Sequence, residues 1–186
     1  MKVGHLIMFG MVFFLFISLT YAGVLSYYGK VLGTVSVRGP TFYADLESNN
    51  NTIGKLLLNV QPNSTYTIQF QDGQSIIFWS DDFGGINFSY IPTCHFSIKI
   101  YSSQPSKVRL ICKYYDTNDN EIQICEKSIN TSTDFTVISE SCTSSSILNL
   151  NSVKYIVYEV KGMASPSIIF YLETNPNGDT RLQVTG

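Results

Sequence analysis

Apolar and polar residues alternate over short stretches of this chain, and the alternation predicts β-strands. Between Phe96 and Tyr101, for example, Phe96, Ile98 and Ile100 share one face of an extended segment, with Ser97 and Lys99 on the other. Similar runs recur about every ten residues, separated by Gly, Pro, Asn and Asp, which favour turns. We predict strands over Lys55–Val60, Thr65–Phe70, Ser75–Trp79, Cys94–Tyr101, Lys107–Tyr115, Glu121–Ile129, Asp134–Ser139, Val153–Val160, Ser167–Glu173 and Thr180–Thr185.

Many short strands with no helical periodicity between them are typical of an all-β sandwich. We therefore predict an antiparallel two-sheet sandwich, jelly-roll or Greek-key-like, over residues 40–186. The composition agrees, since aromatic residues make up 13% of the chain and charged residues only 14%, which suits half-buried sheet surfaces. The serine-rich stretch Ser141–Ser146 is interpreted as a solvated loop.

A continuous apolar segment follows the lysine at position 2, and it predicts an N-terminal hydrophobic helix. Leu6–Leu19 is almost purely apolar. It is followed by Thr20-Tyr21-Ala22, whose residues a signal peptidase accepts before a cleavage site after Ala22. Residues 1–22 are therefore predicted to be a signal peptide. The alternative is an uncleaved membrane anchor, because the apolar character continues to Leu25 and reaches the ~20 residues that span a bilayer. Either interpretation places the sandwich outside the cell, secreted or at the cell surface.

Four cysteines lie beyond this leader, and an even number in an exported chain predicts disulfides. If Lys107–Asp116 and Glu121–Ile129 form a hairpin around Thr117–Asn120, Asp116 faces Glu121 and Cys112 faces Cys125. Directly opposed residues are close enough to be bridged. We therefore predict a Cys112–Cys125 bond, which leaves Cys94 for Cys142.

Charge and motif content argue against nucleic-acid binding and catalysis. Twelve basic residues against fourteen acidic ones give a net charge of −2 with no basic run, so a nucleic-acid partner is not expected. The chain has two histidines, His5 and His95, and His95 and its neighbour Cys94 would point to opposite faces of a strand. No GxSxG elbow occurs. We predict no catalytic residues, no enzymatic activity and no cofactor.

Two acidic turns offer the oxygen ligands that calcium prefers. Asp81-Asp82 precedes Phe83-Gly84-Gly85, and Asp116–Glu121 resembles a calcium loop without the glycine at its sixth position. Asp and Asn in tight turns also bond their own backbone, and we take that as the main interpretation. No zinc spacing occurs, so no metal site is predicted.

Aromatic residues and sequons suggest surface functions. Trp79, with Tyr90 and other aromatic neighbours, is a candidate platform for stacking a sugar, the alternative being that these rings belong to the core. N-x-Ser/Thr sequons fall in or near predicted turns, where glycans could be carried. They lie at Asn50, Asn63, Asn87 and Asn130.

The junction Thr20–Tyr28 resembles that of TasA/camelysin-type surface filament proteins, and the chain beyond it is similar to archaeal exported jelly-roll surface proteins. The resemblance implies that Gly23–Val37 is a donor strand that completes the sheet of the next subunit by β-augmentation. Its residues would be Val24, Leu25, Tyr27, Val31, Val35 and Val37. The alternative is that residues 23–39 link an anchor to the domain or pair within it.

Two hypotheses on function follow. The first is a non-enzymatic structural or adhesive cell-surface protein that self-associates by strand addition into a filament. The second is a secreted or membrane-anchored carbohydrate-binding module that uses Trp79 and its aromatic neighbours.

Overall fold

The computed structural model describes residues 39–49, 51–83, 86–90, 92–145, 148–163 and 167–185. All regular secondary structure in these ranges is β, which confirms the fold class. The strands are β1 (Thr41–Asp45), β2 (Ile53–Leu58), β3 (Tyr66–Gln71), β4 (Ser75–Ser80), β5 (Ile86–Tyr90), β6 (Thr93–Ser102), β7 (Ser106–Asp116), β8 (Glu121–Thr131), β9 (Thr136–Thr143), β10 (Leu148–Gly162), β11 (Ile169–Thr174) and β12 (Arg181–Thr185).

The strands form where the side chains alternate between core and solvent. In β1, β4, β11 and β12, every second residue is buried and the residues between are partly exposed. This period of two is what a pleated strand with one face on a core requires. β10 is buried on both faces from Ile156 to Val160, as expected for a strand with partners on both sides.

The strands pack as two layers that share one continuous hydrogen-bonded sheet. The first layer contains β9, β6, β11, β3 and β12, and the second contains β8, β7, β10, β4 and β5. β1 pairs with β12 and with β2, and β2 pairs with β4, so these two strands carry the hydrogen bonding from one layer to the other. The β2–β4 pair is parallel, whereas the sequence pattern predicted an antiparallel sandwich throughout.

The core between the layers is aromatic at its centre. Phe96 of the first layer lies 5.4 Å from Tyr158 of the second, measured between ring centroids, and Phe78 lies 6.0 Å from the same tyrosine. Tyr158 is fully buried, and its hydroxyl has no hydrogen-bond partner among the described residues. Other large, fully buried side chains are Phe42, Phe70, Phe170, Leu46, Leu56, Ile76, Ile98, Ile100 and Leu110.

The disulfide pairing predicted from the hairpin argument is wrong. The predicted register is correct at Cys112 but wrong at the turn, where Tyr115 rather than Asp116 is opposite Glu121. Cys112 lies opposite Cys125 in the β7–β8 pair, and Cys94 lies opposite Cys142 in β6–β9. The bond nevertheless joins Cys125 to Cys142, which connects the edge strands of the two layers. Cys94 and Cys112 are buried thiols. Strand pairing in the hairpin determines which residues are neighbours within one layer. Which cysteine sulfurs are close enough to bond depends on how the two layers pack against each other.

Two further differences concern the strand boundaries. The structure contains β1 and β5, which the predicted strands did not include. β9 continues to Thr143, so the first residues of Ser141–Ser146, predicted to be a loop, belong to a strand. β9 is longer than predicted because it pairs with β6 as far as Thr93, which lies opposite Thr143.

The predicted leader, residues 1–22, lies outside the described residues, and so do the donor-strand residues Val24, Leu25, Tyr27, Val31, Val35 and Val37. Within the described ranges, no helix has the length and apolar character needed to cross a membrane.

The chain enters and leaves the described domain at the same place. The amide of Val184 donates to the carbonyl oxygen of Pro40 (3.3 Å), and the Gln183 side chain donates to that of Gly39 (3.2 Å). A Cβ at Gly39 would lie 1.6 Å from the Val184 carbonyl oxygen. Only glycine allows this approach of the first residues to the last strand.

Candidate functional site

Trp79 lies on the outer face of the second layer, where two tyrosines from other strands join it. Phe78 is fully buried, so its neighbour Trp79 in β4 projects away from the core. The Trp79 ring centroid is 4.9 Å from that of Tyr115 in β7 and 5.9 Å from that of Tyr155 in β10. All three rings are partly exposed. We call these three residues the Trp79 platform.

Tyr115 owes its hydrogen-bond partner to an irregularity in the β7–β8 pair. Cys112 is opposite Cys125, but Lys113 is opposite Gln123, so Ile124 has no residue facing it. This β-bulge shifts the rest of the hairpin by one residue and brings Glu121 opposite Tyr115. The Tyr115 hydroxyl donates a hydrogen bond to the Glu121 carboxylate. Burial and this hydrogen bond raise the pKa of Tyr115 to about 12, so the group is a neutral donor near neutral pH.

Charged groups form a rim beside the platform. Lys113 Nζ lies 3.0 Å from Glu121 and 2.7 Å from Glu159, whose carboxylate also accepts from the Ser75 hydroxyl at 2.6 Å. Hydrogen bonds from Tyr115 and Lys113 lower the pKa of Glu121. The rim therefore presents ammonium donors and carboxylate acceptors at neutral pH.

Lys154 extends this rim on the Tyr155 side of the platform. Its Nζ lies 5.1 Å from the Tyr155 ring centroid, within cation–π range. It also pairs with Asp119 at 2.9 Å, and that hydrogen bond raises the pKa of Lys154. The platform is thus bordered by cationic groups from both β7 and β10.

The outer face of the first layer carries a second set of polar and aromatic side chains. Tyr101 and Tyr171 lie opposite each other and stack with their centroids 4.4 Å apart. Further along β6 is a shallow depression of about 380 Å³. Its lining includes His95, Ser97, Ser139, Ser141, Arg181 and Gln183.

The structure places His95 away from its neighbour Cys94. His95 is exposed and shares a 3.1 Å hydrogen bond with Thr185, whereas Cys94 is fully buried. The two side chains are therefore on opposite faces of β6, as the strand geometry predicted.

In the second acidic turn, the loop itself uses the aspartate oxygens. Asp116 accepts from the amides of Asn118 (2.8 Å) and Asn120 (2.9 Å) and from the Asn120 side chain, which lower its pKa. Asp81-Asp82 follows β4 directly. The described residues contain no group of three or more His, Cys, Asp or Glu side chains that could hold a metal ion. The expectation that neither turn binds calcium stays a prediction.

The sequons occupy different settings. Asn63 is exposed in a loop, and Asn130 is exposed but within β8 rather than in a turn. Asn87 falls within β5, again a strand where a turn was predicted. Asn50 lies outside the described residues, as do the side chains of Asn87 and of Tyr90, the second candidate ligand residue. Glycosylation stays a prediction.

Sequence reasoning identified Trp79 but missed Tyr115 and Tyr155. Both were assigned to predicted strands, and each alternates with core residues of its own strand. The two tyrosines lie beside Trp79 because β10 pairs with both β4 and β7. No local pattern shows that pairing.

No family model and no curated protein matches this chain. Among solved structures, it is similar to a CocE/NonD family hydrolase from Staphylococcus aureus, with TM-score 0.54, 10% identity and coverage of 81% of this chain and 37% of that one. An aminopeptidase from a marine-sediment Thaumarchaeota archaeon gives TM-score 0.55, 5% identity and coverage of 78% and 36%. The chain thus spans little more than a third of these enzymes.

A smaller protein is also similar, the N-terminal cellulose-binding domain of a Cellulomonas fimi β-1,4-glucanase. Its TM-score is 0.40 at 12% identity, with coverage of 67% of this chain and 80% of that one. At such identities, the similarities to the two enzymes show a shared fold and nothing about activity.

Proposed function

We propose that this protein is a non-catalytic carbohydrate-binding module that contacts the sugar rings of a polysaccharide through the Trp79 platform. The observation that carries the proposal is the meeting of three partly exposed aromatic rings, from three neighbouring strands, on the outer face of one layer. Large aromatic side chains on a sheet are ordinarily placed in the core, and here they lie at the surface.

The chemistry of the platform suits a saccharide. An aromatic face is apolar with a negative quadrupole, and it can pack against the C–H bonds of a pyranose ring. The sugar hydroxyls would then reach the rim, where Lys113 and Lys154 can donate and Glu121 can accept. Hydrogen bonds to charged groups are stronger than those between neutral partners, so the rim would fix the orientation that stacking leaves free.

Rigidity supports the same function. The platform residues belong to strands β4, β7 and β10, which are hydrogen-bonded to one another along most of their length. A binding surface that is already formed loses little conformational entropy when a ligand binds. Export, which the leader predicts, would bring such a module to extracellular glycans, and the Cys125–Cys142 disulfide is typical of an oxidising compartment.

Replacing Trp79 by alanine is expected to abolish most of the binding. Loss of a central aromatic contact costs about 2 kcal/mol, which is roughly a 30-fold rise in Kd. Affinity electrophoresis against a panel of soluble polysaccharides identifies the ligand, and isothermal titration then gives the Kd of each variant.

The matched control is Tyr171→Ala, which removes a partly exposed aromatic ring from the outer face of the opposite layer. Binding should be unchanged in this variant and largely retained in Trp79→Phe. If wild-type protein binds no polysaccharide, or if Tyr171→Ala loses binding while Trp79→Ala keeps it, the proposed site is refuted.

Strand addition is a second candidate function, favoured by one observation. Among the described strands, β3 pairs only with β11. On its other main-chain edge, the amides of Thr67 and Gln71 donate to the Asn49 and Gln74 side chains (3.0 and 2.8 Å), and an added strand would replace these two side-chain contacts. An exposed edge is a template for β-augmentation. The segment 23–37, predicted to be a donor strand, would supply the partner from a second copy, and head-to-tail addition of this kind produces filaments.

Deletion of residues 23–37 from the mature protein is expected to convert a polymer into a monomer, measured by multi-angle light scattering. Trp79→Ala is the control, since it should leave polymerisation unchanged. A mature full-length protein that is monomeric, or a deletion variant that still polymerises, would exclude strand addition.

A further inference from the structure

The four cysteines lie at adjacent positions in the two layers. Cys94 is opposite Cys142 in the β6–β9 pair, and Cys112 is opposite Cys125 in β7–β8. The Cys125–Cys142 bond joins the two edge strands across the sandwich. The remaining two cysteines therefore each lie one strand further in, on opposite layers, and face each other across the core.

Cys94 and Cys112 belong to one buried hydrophobic cluster, to which both layers contribute. Both have no exposed surface. Val184 lies beside Cys94 in β12, and Tyr158 lies beside Cys112 in β10. Burial, together with a hydrogen bond from the Cys112 thiol to Cys94, raises the pKa of Cys112. Only a thiol close to Cys112 can make that hydrogen bond.

We propose that Cys94 and Cys112 form a second disulfide, so that two neighbouring bonds connect the layers. Because β9 pairs with β6 and β8 pairs with β7, the Cys125–Cys142 bond also keeps the two strands that carry Cys94 and Cys112 on facing layers. The proposal does not depend on the carbohydrate-binding function.

The reaction needs an external oxidant, which we assign to the disulfide of a thiol–disulfide oxidoreductase. One cysteine, as its thiolate, attacks this disulfide, forms a mixed disulfide and releases one oxidant sulfur as a thiol. The second cysteine, also as a thiolate, attacks the cysteine sulfur of the mixed bond and releases the other oxidant sulfur. Two electrons pass to the oxidant, and the two protons lost by Cys94 and Cys112 end on its two thiols.

Burial determines when this reaction takes place. An oxidoreductase cannot reach side chains that have no exposed surface, so the bond must form before the layers close. In the folded protein the two bonds should then differ: Cys142 is partly exposed, whereas the Cys94–Cys112 bond is enclosed. A mild reductant should open the outer bond first.

The sequence makes the pairing easy to read by mass spectrometry. Trypsin cleaves after Lys99, Arg109, Lys113, Lys127 and Lys154, which places each cysteine in a separate peptide. The secreted protein is unfolded in iodoacetamide, digested without reduction and analysed for linked peptides and for alkylated cysteines.

We expect a linked pair containing Cys94 and Cys112, a second containing Cys125 and Cys142, and no alkylation. Alkylated Cys94 and Cys112 would overturn the proposal, and so would linked pairs of the cross-strand type, Cys94–Cys142 or Cys112–Cys125. The control is Cys94→Ala, in which Cys112 should become fully alkylated after unfolding while the outer bond stays intact. Unalkylated Cys112 in that variant would show that it has another partner and would also overturn the proposal.

Discussion

Replacing Cys125 and Cys142 together by alanine is expected to lower the free energy of unfolding by about 3 kcal/mol. The two residues are separated by 17 positions, and a cross-link over a loop of that size restricts the unfolded chain by about this amount. The loss corresponds to a fall in Tm of roughly 6–12 °C for a domain of this size. Thermal and guanidinium unfolding without reductant measure it.

Wild-type protein melted with dithiothreitol provides the control, because reduction should move its Tm to that of the double variant or below. A double variant that unfolds at the wild-type midpoint would mean that β8 and β9 are held together without the bond. Such a result would contradict the role assigned to the disulfide as the connection between the layer edges.

Replacing Lys113 by methionine is expected to cost about 3 kcal/mol. The side chains of Lys113 and Glu159 are only 16% and 10% exposed, so the substitution leaves a poorly solvated carboxylate without its ammonium partner. Removing one member of a buried pair costs much more than the pair itself contributes. The double variant Lys113→Met/Glu159→Leu should therefore recover most of the loss, which denaturant unfolding at about pH 7 can test.

The cost should depend on pH in a defined direction. Burial acts to raise the pKa of Glu159, but hydrogen bonds from Lys113 and Ser75 outweigh it, and the pKa is lowered from its ordinary value of 4.5. A carboxyl group with a lowered folded-state pKa contributes its stability above the unfolded pKa and loses it as pH falls through the folded value. The difference between wild type and Lys113→Met should therefore shrink below pH 4.5. An equal difference at about pH 3 and about pH 7 would contradict this assignment.

The sequence predicted which residues are neighbours within a layer. It did not predict which residues face each other across the two layers. Alternation and turn residues predicted most strands within a few residues, and the hairpin argument placed Cys112 opposite Cys125. The bond between Cys125 and Cys142 could not be predicted in the same way. It depends on how β8 and β9 approach each other across the sandwich, which is set by the packing of the whole core.

The Trp79 platform shows the same division. The pattern around Phe78 and Trp79 is local, and it marks Trp79 as a residue of interest. Tyr115 and Tyr155 reach it because β10 pairs with two strands that are distant in sequence. The bulge at Ile124 brings Glu121 opposite Tyr115. No turn residue in the sequence predicts this bulge. Irregularities of this kind re-aim side chains at functional surfaces.

The meeting of Gly39 and Pro40 with Val184 has a consequence for evolution and for engineering. A domain whose two ends adjoin can be spliced into a surface loop of a host protein without separating the host's own strands. Another domain can also be fused to either end of the chain, and in both cases it would be attached at the same end of the sandwich. Gene fusion can therefore transfer this sandwich as a unit into different proteins without changing its strand pairing.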